Sequence, residues 1–363
     1  MHPTSWLRAS ALAALTAAVV LCAPDRPALA QQQPEDVLDR PKHITPRAAQ
    51  ALDRGLAYLA RQQRRDGAIT DGGGPMGSYP VAMTALAGVA FLTHGDTPST
   101  GRYSPVVRRA AQYLTAPAQA GRDGLITGRG SGEEGRSMHG HGFAMMFLAQ
   151  CLGDDGDKAL ADRITKVLKA GVELTGRSQS ARGGWLYTPD SSGDEGSITV
   201  CQVQALRACR NAGLAVPVRI IRQAVKYIED SLQPDGGIAY QAGGSGSQPA
   251  ITAAAVAVLY NAGEYDSQVA KRCLDFCRKS ITVSGGGGGF GHWFYMHLYL
   301  SQAYWQVGGR DWDTYFPAVR DHLLSQQAAD GSWQGDGVGN VYGTAIAVTI
   351  LSLPYEHVPI YMR

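Results

Sequence analysis

The residues able to do chemistry cluster just behind glycine-rich turns. In SGGGGGFGHWFYMHLYL (residues 284–300), His292, Tyr295, His297 and Tyr299 follow a glycine run directly. His139 and His141 follow the turn GRDGLI (121–126), Ser197, Thr199 and Gln202 follow ARGGWL (181–186), and Tyr342 and Thr344 follow ADGSWQ (329–334). A tyrosine or histidine held against a substrate can withdraw a proton and return it. Tyr295 with His141 or His297 is therefore the candidate catalytic set. His139, Thr199, Gln202, His292, Tyr299 and Tyr342 are candidate ligand contacts.

Other chemistries fit less well. Gly286, Gly288 and Gly291 satisfy G-x-G-x-x-G, but a dinucleotide loop needs a strand before its glycines. Here CLDFCRKSI precedes them and continues an amphipathic helix. His292, Tyr295 and Tyr299 share a helical face, whereas His297 lies about 140° from His292, so these two histidines do not chelate one metal. His139 and His141 could converge with a histidine of the fifth turn, yet no metal site and no cofactor are expected. Asp190, Asp194 and Glu195 lack the D-x-[DN] spacing of a calcium loop.

These residues need elements to position them. Short glycine turns recur at RRDGAI, GRDGLI, ARGGWL, PDGGIA, GGGGFG and ADGSWQ. Each follows an amphipathic helix. Val218, Ile221, Val225, Ile228 and Leu232 form one apolar stripe, and Ala49, Leu52, Leu56 and Leu59 form another. The segments after the turns, such as YPVAMTALAGVAFL and ITAAAVAVLYNAG, are apolar or small nearly all round, the mark of a helix enclosed on every side. Half-exposed helices alternating with enclosed ones predict an all-α fold, an (α/α)6 toroid of two concentric rings in which no repeat buries its own apolar face.

The turns carry a motif. Gln179-x3-Gly183-x-Trp185 and Gln327-x3-Gly331-x-Trp333 fit Q-x3-G-x-W, and Gln63 and Gln233 open the same frame without the tryptophan. Over about residues 46–355 the chain resembles the terpenoid cyclase and protein prenyltransferase superfamily. The resemblance implies a central cavity near the starts of the inner helices. On physical grounds, glycine makes each turn, glutamine satisfies N–H groups of the next helix and tryptophan wedges between the rings. The chemistry of that superfamily does not follow. The cyclase Asp-x-Asp-Asp string is absent, its nearest counterparts being DDGD (154–157), DWDT (311–314) and SSGDEGSIT (191–199). No Asp-x-Cys of the prenyltransferase zinc site opens an inner helix. Toroids that cleave uronic-acid polysaccharides use a tyrosine or histidine with a charge-neutralising arginine, for which Arg129, Arg136 and Arg182 in the mouth loops are candidates.

The rest of the chain sets the context. Residues 1–30 read as a secretory signal peptide, with an apolar core to Ala23 and Ala28-Leu29-Ala30 as cleavage site, so the protein is expected to be periplasmic or extracellular. Residues 31–45 read as a flexible lead-in and residues 46–363 as one toroid domain. The formal net charge of +2, without basic runs, argues against nucleic acid as partner. Cys151, Cys201, Cys209, Cys273 and Cys277 read as small buried hydrophobes. No transmembrane segment is expected. The expected function is binding of a terpenoid or polyprenyl lipid or a polysaccharide in the central cavity. A divergent cyclase-like enzyme and a polysaccharide lyase are the alternatives, and a protein partner could use the mouth loops.

Overall fold

A computed structural model describes residues 40–72, 78–154, 156–284 and 292–362. The signal-like segment, the lead-in up to residue 39 and the glycine run at 285–291 lie outside the described residues. Among the described residues the helices alternate between two kinds. The outer set is α1 (Pro46–Arg61), α3 (Ser104–Thr115), α5 (Lys158–Arg177), α7 (Val218–Asp230), α9 (Gln268–Ser280) and α11 (Gly309–Gln326). The inner set is α2 (Pro80–His94), α4 (Ser137–Gln150), α6 (Gly196–Asn211), α8 (Pro249–Ala262), α10 (Trp293–Val307) and α12 (Asn340–Ser352).

Inner helices pack in the order α2, α4, α6, α8, α10, α12, and α12 returns to α2. The ring is closed and the outer helices shield it, as an α/α toroid requires. The enclosed character is complete in α2, where every residue from Val81 to Thr93 is buried. Outer helices bury one side, and three of them, α1, α5 and α9, start at side-chain caps: Thr45 accepts from the amide of Ala48, Asp157 from Leu160 and Ser267 from Ala270. One expected stripe is displaced. On α7 the buried residues are Ile220, Ala224, Tyr227 and Ile228, so Val218, Ile221 and Val225 are left at the surface edge of that face.

The turn motif has a clear mechanical role. Gly183 and Gly331 have φ of +98° and +93°, and a Cβ on Gly183 would stand 2.2 Å from the carbonyl oxygen of Gln223 on α7. Glycine is therefore required twice over, by backbone conformation and by close approach. The glutamines work differently from the expectation. The Nε2 groups of Gln63, Gln179 and Gln327 donate to the carbonyls of Gly67, Gly183 and Gly331 in their own turns. They also donate to the carbonyls of Val106, Ile220 and Ala51 on the next outer helix. They satisfy acceptors because the turn brings them beside the neighbouring helix flank, not its free N–H groups. Trp185 and Trp333 are fully buried between the rings, and their Nε1 groups donate to Thr175 and Leu323 carbonyls at 2.7 Å.

A second repeated contact fixes each inner helix to its turn. Near the helix start a side chain accepts the amide of the residue closing the turn. Thr84 takes Ile69, Thr199 takes Trp185, Thr252 takes Ile238 and Thr344 takes Trp333, at 2.9–3.1 Å. In the second repeat the acceptor is His141 Nδ1, which takes the amide of Ile126 at 3.2 Å.

The C-terminal segment folds back under the ring. Its 3-10 turn Pro359–Tyr361 packs on α6 and α10. All five cysteines of the described residues are free and buried. No described helix is long and apolar enough to cross a membrane.

Candidate functional site

All six inner helices direct their N-terminal ends at one cavity of about 460 Å³, within the common size range of small-molecule sites. Its upper wall carries Tyr79, Tyr187, Tyr240, Tyr295 and Tyr342. Aliphatic and aromatic side chains including Met83, Phe143, Leu298 and Ile346 complete the wall. Arg136, His139 and His292 give the lining its basic groups, and among the described residues none of the lining is a carboxylate. Beneath the cavity the ring is filled. Tyr299 is fully buried edge-on to Tyr295, with ring centroids 4.9 Å apart. Lower still, Gln204 donates to Gln302 at 2.6 Å, both side chains buried.

Four of the expected residues line the cavity: His139, His292, Tyr295 and Tyr342. His139 and Tyr295 meet at Ser197. His139 Nε2 lies 3.4 Å from the Ser197 hydroxyl, and Tyr295 Oη donates to the Ser197 carbonyl at 3.2 Å. Burial, with a smaller push from the Arg136 charge, lowers the His139 pKa to about 4, so its imidazole is neutral at neutral pH. Burial first, then the Glu195 charge, raises the Tyr295 hydroxyl well above its ordinary value. Tyr295 is thus held protonated, a poor base and a good hydrogen-bond donor.

The other expected site residues stand elsewhere. His141 is fully buried between α4 and α5, with Nδ1 on the Ile126 amide and Nε2 3.2 Å from the Thr175 hydroxyl. His297 is turned to α11, where Nδ1 meets the Tyr315 hydroxyl at 2.9 Å and the ring stacks on Tyr315. Both face the outer ring because each lies two residues beyond a cavity-facing residue, about 200° round the helix. Neither joins Tyr295 in a catalytic group. Thr199 is a turn anchor, Gln202 braces α6 to α4 through the Met138 carbonyl at 2.7 Å, and Tyr299 lies under the floor. His139 and His141 diverge, and among the described residues no three His, Cys, Asp or Glu side chains gather as metal ligands would.

Of the candidate arginines, only Arg136 reaches the cavity, its guanidinium 5.5 Å from the Tyr187 ring centroid. Arg182 is engaged by Asp194 and the Ala242 carbonyl. Arg129 approaches Asp123 at 3.8 Å. The acidic strings are likewise engaged in structure: Asp154 accepts the Ser99 amide, Asp311 pairs with Arg278 and Asp313 with Lys42.

Residues not singled out from the sequence complete the site. Tyr187 and Tyr240 each stand two positions past the residue anchored by Thr199 or Thr252, and in an extended segment that spacing repeats a side. Asp71, in the same register, accepts the Val341 amide at the start of α12 at 2.9 Å. Glu133 accepts the amides of Val81 and Ala82 on α2 at 3.1 and 2.9 Å. Asp336 accepts those of Phe294 and Tyr295 on α10 at 2.9 and 3.3 Å. Glu195 caps its own helix through Ser197 and Ile198. Burial raises the carboxyls of Glu133 and Glu195, and takes Asp336 to about 6. These acids meet the partial positive charge of the helix starts.

No protein-family model and no curated protein matches the chain. Among solved structures, the type II terpene cyclase MstE from Scytonema matches at a TM-score of 0.59 and 14% identity, covering 86% of this chain and 100% of that one. A wild-type glycosidase matches at 0.61 and 13% identity, covering 86% and 98%. A protein from Actinoplanes matches at 0.59 and 18% identity, covering 85% and 99%. The chain shares the α/α-toroid fold of terpenoid cyclase-type structures.

Proposed function

We propose that this toroid is a binding protein for an apolar, chain-like ligand of the isoprenoid class. The ligand enters at the mouth and lies against the tyrosine and aliphatic wall. The observation that carries the reading is that wall: a cavity of about 460 Å³ lined mostly by tyrosines and apolar side chains, with Arg136, His139 and His292 as its basic groups and no carboxylate among the described lining residues. Cyclisation by protonation needs an acid aimed into the cavity, and Glu133, Glu195 and Asp336 are instead committed to helix amides. Glycoside hydrolysis ordinarily needs two carboxylates flanking the bond, and the wall offers neither. The fold neighbour MstE has been captured with geranylgeranyl dihydroxybenzoate as substrate, which agrees with an isoprenoid ligand here. The signal-like composition of residues 1–30 supports a working location outside the cytoplasm.

Titration of geranylgeraniol into the purified protein, followed by intrinsic tyrosine and tryptophan fluorescence, tests the reading. One-to-one binding that Met83→Trp abolishes is the expected result. Binding of oligogalacturonate and not of geranylgeraniol would replace the lipid reading with a polysaccharide one.

A further inference from the structure

A second recess lies away from the cavity, between α6, α7 and the C-terminal end of α8. Its volume is about 230 Å³, room for one large side chain and a little backbone. The floor is aliphatic, built from Val203, Leu206 and the displaced α7 stripe of Val218, Ile221 and Val225. Val218 is 51% exposed, one of the few large hydrophobic side chains of the described residues in that state. Arg207 and Arg210 on α6 and Arg222 on α7 stand round the floor, against Glu264 beyond the end of α8 as the one acid among the described lining residues. No ion pair or hydrogen bond among the described residues engages these three guanidiniums.

One further group is buried there without a partner. Asn261 on α8 lines the recess and is 4% exposed. Its Nδ2 donates to the Ala257 carbonyl at 2.6 Å, which orients the amide and leaves Oδ1 with no donor. A buried acceptor in that state costs about 1–3 kcal/mol until a donor reaches it.

We propose that this recess docks a short acidic peptide segment of a partner protein, with one aliphatic or aromatic side chain inserted between α6 and α7. The complementarity is threefold. Carboxylates flanking the inserted side chain answer the three guanidiniums, which pair with carboxylates in fork geometry. The anchor covers the exposed valine and isoleucine side chains. A backbone N–H answers Asn261 Oδ1 once the amide, now closed off from solvent, turns toward the recess, a need that a fatty acid anion, having acceptors only, would leave unmet. The size of the recess suits one anchor residue, as in interfaces where a few buried side chains carry most of the affinity.

The test uses the full chain and capped pentapeptides Glu-Asp-X-Asp-Glu, with X as Leu, Phe or Trp, beside a set with Lys at every acidic position. Calorimetric titration should show saturable binding of at least one acidic peptide, none of the lysine set, and weakening as salt rises. The double variant Arg207→Glu/Arg222→Glu should weaken it about tenfold or more. Arg219→Glu, on the same helix but paired with Gln223, should leave it near wild type. Asn261→Leu should weaken binding, and thermal melts check that each variant is folded. Failure of every acidic peptide to bind at millimolar concentration would overturn the proposal. So would indifference to the charge reversal in a folded variant, or displacement of the peptide by dodecanoate at lower concentration. Geranylgeraniol binding in the Arg207→Glu/Arg222→Glu protein keeps this outcome separate from that of the cavity.

Discussion

The two faces of the inner helices obey different rules. On α4, His139 looks into the cavity and His141 looks toward α5. On α10, Tyr295 and His297 divide in the same way. The outward face is nearly uniform round the ring: Thr84, Thr199, Thr252 and Thr344 anchor turn amides, and His141 does the same work with an imidazole. The inward face has no such repetition, running through Met83, Phe143, Ser197, Ile251, Tyr295 and Tyr342. Uniformity marks the contacts that hold the rings together; variation marks the surface that meets a ligand. A histidine's role here follows from its face.

The strongest way to break that distinction is to cut the outward side. Trp333→Ala removes a fully buried ring whose Nε1 is bonded, and should lower stability by about 3–5 kcal/mol in denaturant unfolding. A loss no larger than that of a surface substitution would refute the load placed on the inter-ring wedge. Next in size, Gly183→Ala forces a side chain onto a +98° φ and into the Gln223 carbonyl. It should cost about 1–3 kcal/mol, with ligand binding kept in the folded fraction.

The third change removes the outward histidine of α4 and keeps the inward one. Burial lowers His141 to about 4, against an ordinary 6.5. The unfolded chain therefore binds a proton that the folded chain refuses. Stability from this group is complete above pH 6.5 and falls as pH drops toward 4, by up to about 1.4 kcal/mol per pH unit. His141→Thr installs the residue used at four equivalent positions. It should lessen the slope of the stability curve between pH 6.5 and 4, the remainder coming from His139 and His297, which burial lowers as well, while ligand affinity at pH 7 stays unchanged. An unaltered slope would show that His141 does not carry this share of the acid sensitivity. The inward side should give the smallest stability effect: Met83→Trp enlarges a buried side chain and should cost about 1 kcal/mol, the low end for overpacking because the ring has the cavity to enter, yet it blocks the cavity. Retained binding in that variant would mean that the ligand lies elsewhere.

The sequence announced the toroid because enclosure leaves a mark that composition cannot hide. A helix such as α8, from Ile251 to Asn261 buried on every side, has no polar face to read. The site was half legible for a related reason. Residues at the starts of inner helices border the cavity, and so His139, His292, Tyr295 and Tyr342 were found there. His141 and His297 face the outer ring, a difference of side that the glycines of the turns do not mark. The threonines do mark it, and His141 falls in their register. Tyr187 and Tyr240 escaped because extended segments of a few residues have too little periodicity to show a side. Asp71, Glu133 and Asp336 escaped because each serves a helix contributed by the preceding repeat, a relation visible only once the ring is closed.

That closure has a kinetic side. The bond from Gln327 to the Ala51 carbonyl joins residues 276 positions apart, at the one seam where neighbouring repeats have no covalent link. An open solenoid can fray from either end and re-form by adding units in sequence. A ring has no end to fray from, and its last contact waits until nearly the whole chain is in place. Loop-closure entropy then falls on a single late event. Slow final folding and slow first opening should share one address, the meeting of α1 with α11 and α12.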